Sequence, residues 1–150
     1  MMENRFENFT FYVLKANKLI QRIKNKKIEA FDANLKAVHV MCIHLLNAEK
    51  DGLTNAEIVR GTLEDKAAIS RALAQLKEWG YVSYEKRERG GKILLTQEGK
   101  RAADYISQAA QQAVDIGGNH LTDSERDIFY RCLKSITENL SAFYEREDDR

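Results

Sequence analysis

Arg71, Ser70 and Gln75 sit a short way before Lys86, Arg87, Arg89 and Lys92, which surround the Gly90-Gly91 pair. Side chains of these types in this arrangement could recognise a polyanion with patterned edges. Rotation by about 100° per residue along a helix over 66–79 brings Ile69, Leu73 and Leu76 within about 60° of arc, facing a core. Arg71 then falls on the opposite side, with Ala67, Ala68, Ala74 and Gln75 flanking it and Ser70 lateral. Small residues around an outward arginine let a helix backbone approach base edges. The arginine can offer two donors to guanine, and Gln75 or Ser70 can reach neighbouring bases or phosphate. An ordinary charged surface helix would carry the same alanines, so the ribbon that follows decides between the readings. Its four cations surround a single acid, Glu88, and repel one another. A phosphate ladder or a narrow minor groove would compensate that repulsion. A ribbon of this kind alone is equally a protected sheet edge; after two helices joined by a tight corner it points to DNA. Thr54 and Asn55, at the start of the first of those helices, and Lys66, at the start of the second, complete the expected DNA-facing set. Free N–H groups at such a helix start suit a phosphate.

The positioning elements follow from periodicity. Phe6, Phe9, Val13, Ala16, Leu19, Ile20 and Ile23 form one helical stripe over 5–24, and Lys24, Lys26 and Lys27 read as its basic end. Residues 33–47 are apolar on nearly all sides, which predicts a central buried helix, broken by Lys50-Asp51-Gly52. Thr54 with Glu57 is a capping box opening a short helix that Gly61 is expected to stop. Asp65 is placed to cap the helix over 66–79, which Gly80 ends. Val82 to Lys86 and Lys92 to Leu95 read as two strands with Gly90-Gly91 as the tight turn. Thr96 caps a helix to about Ile116, where Gly117-Gly118 ends it. A second capping box, Thr122 with Glu125, opens a last helix with the stripe Ile128, Phe129, Cys132, Leu133, Ile136, Leu140 and Phe143. The charged tail 145–150 is expected to fray.

Composition excludes several classes. A chain of 150 residues fits one domain, and 43% hydrophobic content is ordinary for a globular protein. Net charge is +1, yet residues 65–101 hold nine Lys/Arg against five acids and residues 122–150 hold five against eight. Uneven distribution matters more for steering than the sum does. No run approaches the ~18 apolar residues of a membrane span. Glu3, Asn4, Arg5, Glu7 and Asn8 interrupt any signal-peptide core. Cys42 and Cys132, with no paired spacing, suit a reduced, cytoplasmic setting. No Ser-His-Asp order, phosphate loop or His-Glu-x-x-His set is present, so an enzyme is not expected, and no cofactor is expected.

The stretches Leu53-Thr54-Asn55-Ala56-Glu57-Ile58, Asp65 to Leu73, Leu76 with Trp79-Gly80-Tyr81-Val82, and Leu95-Thr96-Gln97-Glu98-Gly99 together resemble the winged helix of the MarR family of bacterial transcription regulators. The resemblance covers the whole chain in the order of its elements. It implies a mainly α fold with a small β-wing: a winged helix-turn-helix over 33–96, a connecting helix over 97–116, and dimerisation helices over 1–32 and 117–150, all within one domain. It also implies an obligate homodimer on a pseudo-palindromic operator, with half-sites about 10 bp apart. Phe6, Phe9, Val13, Phe129, Leu133, Ile136, Leu140 and Phe143 are the expected dimer contacts. They could also be buried within one chain; burial between two is preferred here. The wing is shorter than the family's and departs from its Asp-x-Arg pattern, so the tip role falls to Arg89 or, second, Arg87.

Many proteins of this family release DNA when a small aromatic effector enters the cleft between the dimer helices and the winged unit. Others use an N-terminal cysteine or zinc. No cysteine precedes Cys42, so the N-terminal thiol switch is not expected. Cys42 and Cys132 lie on apolar stripes and read as inert thiols. His39 and Cys42, three apart on a helix, are weak metal candidates to which His44 and His120 could add; the spacing matches no closed zinc set. The expected function is therefore a sequence-specific DNA-binding regulator, a repressor released by an effector, with double-stranded DNA, itself and that effector as partners. The alternatives are a winged helix that binds protein and a metal-responsive regulator of the same kind.

Overall fold

A computed structural model of the chain describes residues 5–85 and 91–148, the side chains from Glu7 onward. Six helices and one small sheet follow in the order α1 (Arg5–Phe31), α2 (Ala37–Ala48), α3 (Asn55–Thr62), α4 (Lys66–Glu78), β1 (Val82–Tyr84), β2 (Ile93–Leu95), α5 (Gln97–Gly117) and α6 (Asp123–Asp148). They form two compact units, residues 1–113 and 114–150. No helix among the described residues is long and apolar enough to cross a membrane.

In the first unit α1 outruns the expected end. Lys24, Lys26 and Lys27 are good helix formers and lie inside it, and Ile28 beyond them is buried. The ring of Phe31 stacks on Tyr105 at 4.8 Å, and the Tyr105 hydroxyl donates to the Lys27 carbonyl at 2.8 Å. Burial pushes the Lys24 ammonium below its ordinary pKa. The corner after α1 is an Asx turn, in which the Asn34 N–H donates to Asp32 Oδ1 at 2.9 Å. That turn delays α2 to Ala37, later than the expected start at 33. The Tyr81 hydroxyl donates to Asp32 Oδ2 at 2.7 Å. The same bond holds the Asp32 carboxyl below the usual carboxylate range. Burial, then Asp32, pushes the Tyr81 phenol up.

Helix α2 is central: Val40, Cys42, Ile43 and Leu46 are buried, and it packs on α3, α4 and β2. Together with Ile58, Ile69, Leu73, Leu76, Val82 and Ile93 these residues make one core. The strands are antiparallel, pairing Val82 with Leu95 and Tyr84 with Ile93. Leu53 adds a bridge to Ile93, with N–H to O distances of 3.1 and 2.8 Å. Gly52 makes that bridge accessible: its φ is +82°, and a Cβ there would stand 2.6 Å from the Ile93 carbonyl oxygen. The Leu-Thr-x-x-Gly stretch has a similar cause. Thr96 Oγ1 accepts from the Gly99 N–H at 3.1 Å and donates to the Gly80 carbonyl at 2.5 Å. A Cβ on Gly99 would collide with the Tyr81 carbonyl oxygen.

In the second unit the end of α5 leads through Gly118 to Thr122, whose box with Glu125 forms as expected: the Thr122 N–H donates to Glu125 Oε2 at 2.8 Å, and the Glu125 N–H to Thr122 Oγ1 at 3.2 Å. Arg126 donates to the Gly118 carbonyl at 2.8 Å. The charged residues 145–148 continue α6 where fraying was expected. Helix α6 has no buried residue.

Candidate nucleic-acid interface

Two caps fix the starts of α3 and α4. Thr54 Oγ1 accepts from the Glu57 N–H at 3.2 Å, while the Thr54 N–H donates to Glu57 Oε2 at 2.8 Å. The Thr54 hydrogen bonds hold the Glu57 carboxyl below its ordinary range, with a smaller contribution from nearby Lys92. At α4, Asp65 accepts from the N–H groups of Ala67 and Ala68 at 3.0 and 3.2 Å.

The corner between α3 and α4 differs from expectation. Gly61 does not stop α3; it lies inside the helix, where a Cβ would meet the Leu45 side chain at 2.9 Å. Its role is close approach of α3 to α2. The stop is Leu63, left-handed at φ +55°, whose N–H donates to the Val59 carbonyl at 3.1 Å. The Leu63 side chain is 83% exposed.

Helix α4 has the expected faces. Ile69, Leu73 and Leu76 are fully buried, joined by Ala72. Lys66, Ala67, Ser70, Arg71, Ala74 and Gln75 are exposed, and Ala68 is half-buried. Thr54 and Asn55 are half-buried at the start of α3. The Thr54 hydroxyl is occupied by the cap, and Asn55 Oδ1 is a buried acceptor without a partner among the described residues. Lys92 is half-buried at the base of the wing, where its carbonyl accepts from the Glu85 N–H at 2.9 Å. Lys86, Arg87 and Arg89, with Gly90 of the expected turn, lie outside the described residues. Lys77 Nζ stands 4.7 Å from the Tyr84 ring centre, joining α4 to the wing.

One contact was missed by sequence reasoning, which offered His39 only as a weak metal candidate. His39, on α2, is 4% exposed. Its Nδ1 accepts from the Lys36 N–H at 2.9 Å, and its Nε2 lies 2.8 Å from Gln75 Oε1. The ring also packs 5.0 Å from that of Trp79. Both nitrogens are therefore engaged in hydrogen bonds. Cys42 is fully buried, and that burial pushes its thiol up to about 11. Among the described residues no three His, Cys, Asp or Glu side chains come together around a metal position. His44 is exposed, and His120 takes φ +73° in the turn after α5.

Residues 39–86 match the family model of the IclR helix-turn-helix domain. No curated protein matches the sequence. Solved structures match over most of the chain. A MarR transcriptional regulator from Methanosarcina mazei Go1 is 22% identical with a TM-score of 0.83, over 95% of this chain and 94% of that one. A MarR-family transcriptional regulator from Silicibacter pomeroyi is 24% identical with a TM-score of 0.72, over 89% and 90%. BpsR of Bordetella bronchiseptica, whose DNA binding is regulated by 6-hydroxynicotinic acid, is 18% identical with a TM-score of 0.67, over 86% and 93%.

Proposed function

We propose, on the premise that this chain has the fold of the MarR regulators and carries a helix-turn-helix within residues 39–86, that it is a sequence-specific DNA-binding transcription regulator acting in the cytoplasm. The observation that carries this reading is the division of α4: three large aliphatic side chains fully buried on one face, Arg71 with Ser70 and Gln75 exposed on another. Arg71 reads a base edge in the major groove, with Ser70 and Gln75 beside it and Ala67 and Ala68 permitting close approach. Lys66, Lys92, the N-terminus of α3 at Thr54 and Asn55, and the wing cations Lys86, Arg87 and Arg89 hold the backbone.

The active form is a homodimer. Its support is the apolar surface left open: Phe9 and Val13 on α1, and Phe129, Ile136, Leu140 and Phe143 on α6, are exposed, with Leu133 half-buried. Phe6 belongs to the same stripe of the sequence. Two copies would cover these stripes and present two α4 helices to successive major grooves. Repression is relieved by a small aromatic acid, by likeness to BpsR; such a ligand acts by biasing the separation of the two α4 helices.

The test is a salt titration of affinity for duplex DNA. The reading expects log affinity to fall linearly with log salt, by about a thousandfold between 50 and 200 mM. A flat dependence would identify a winged helix that binds protein instead.

A further inference from the structure

We infer that His39 is a specificity-determining residue that acts through Gln75, turning its amide so that only donors remain for the duplex; the inference rests on the DNA-binding reading above. It begins from a hydrogen-bond constraint. A backbone N–H can only donate, so the Lys36 N–H requires His39 Nδ1 to be an acceptor. The neutral ring then carries its proton on Nε2. Nε2–H must face an acceptor, which identifies the Gln75 atom 2.8 Å away as the amide oxygen. The orientation of an amide is usually ambiguous; here the helix start of α2 settles it.

The consequence concerns bases. Glutamine grips adenine by accepting from N6–H while donating to N7, which uses both ends of the amide. Gln75 has its oxygen held by a ring that is itself buried and packed on Trp79. Releasing it would leave a buried ring N–H without a partner. What Gln75 offers is its pair of N–H donors. These suit guanine, which shows two acceptors in the major groove, or the O4 of thymine. Gln75 lies one helical turn beyond Arg71 on an exposed face, so the two side chains address neighbouring positions.

The experiment is selection of bound duplexes from a random pool with the full chain and four variants. Gln75→Ala locates the base position that depends on Gln75. There the unaltered protein is expected to enrich guanine or thymine over adenine by roughly five- to tenfold. His39→Glu keeps an acceptor for the Lys36 N–H, as in a capping box. It has no donor, so the amide inverts and preference at that position moves to adenine or cytosine. His39→Gln also keeps the cap and carries the test if the buried carboxylate prevents folding; it is expected to bring the preference close to even. Nitrogen chemical shifts of the unaltered protein are expected to show the Nε2–H tautomer of His39. Enrichment of adenine by the unaltered protein overturns the inference, as do an Nδ1–H tautomer, an unaltered preference in both His39 variants, or no position sensitive to Gln75→Ala. A protein that selects a sequence, and loses it in Arg71→Ala, while giving any of those results leaves the DNA-binding reading standing. A protein that selects no sequence overturns both.

Discussion

The helix-turn-helix and the last helix use their apolar residues differently. Around α2, α3 and α4 the stripes supply a closed core, with Val40, Ile43, Leu46, Ile58, Ile69, Leu73 and Leu76 buried and Val38, Leu45 and Val59 packed partly buried against them, and each helix start is capped by a side chain or held by His39. Helix α6 has an equally regular stripe and a good capping box, yet no residue of it is buried and Ile128, Phe129, Leu140, Phe143 and Tyr144 face solvent. Periodicity reports that a face wants covering and is silent about what covers it. The first region closes its core within one chain. The second leaves a regular apolar stripe exposed along one helix, the kind of face a partner surface would cover.

The largest expected effect sharpens that contrast. Leu73→Ala, at a fully buried site, is expected to lower stability by about 3–5 kcal/mol, read as a lower urea midpoint at any protein concentration. Leu140→Ala with Phe143→Ala on α6 is expected to shift the monomer–dimer equilibrium, seen by sedimentation, and to make the melting temperature steeply dependent on concentration. Equal, concentration-independent losses from both would break the comparison.

A smaller effect tests the tie between the end of α1 and the start of the wing. Tyr81→Phe removes the hydroxyl that Asp32 accepts and is expected to cost about 1–2 kcal/mol near neutral pH. Because that bond lowers the folded pKa of Asp32, its contribution is present above the unfolded carboxylate value of about 3.9 and is lost as pH falls through the folded one. The variant should therefore show a shallower loss of stability in acid, and an acid limb identical to that of the unaltered protein would refute the tie. The smallest effect runs the other way. Leu63→Gly relieves a left-handed residue whose side chain is almost wholly exposed, and thermal melts should show a gain of about 1 kcal/mol.

The sequence was most legible where causes are local. Thr54 with Glu57, Asp65, and Thr122 with Glu125 announced helix starts because a cap spans only three residues. The faces of α4 followed from rotation alone. The far end of α1 was hidden because Tyr105, which receives Phe31 and Lys27, lies in α5. Gly61 was read as a stop because a glycine that permits close packing against Leu45 looks the same in sequence as one that ends a helix. The left-handed stop at Leu63 carried no signal at all, since leucine is seldom chosen there. At the candidate interface the exposed cations were visible. The anchoring of Gln75 was not, because His39 stands on another helix and suggested a ligand when taken only with its neighbour Cys42.

The most direct test of the central claim compares Arg71→Ala with the unaltered protein on a selected duplex and on a scrambled one, by fluorescence anisotropy at fixed salt. The account predicts a loss of about ten- to a hundredfold on the selected duplex and little change on the scrambled one, as befits a side chain that reads a base. Equal affinities of the two proteins for the selected duplex would contradict it.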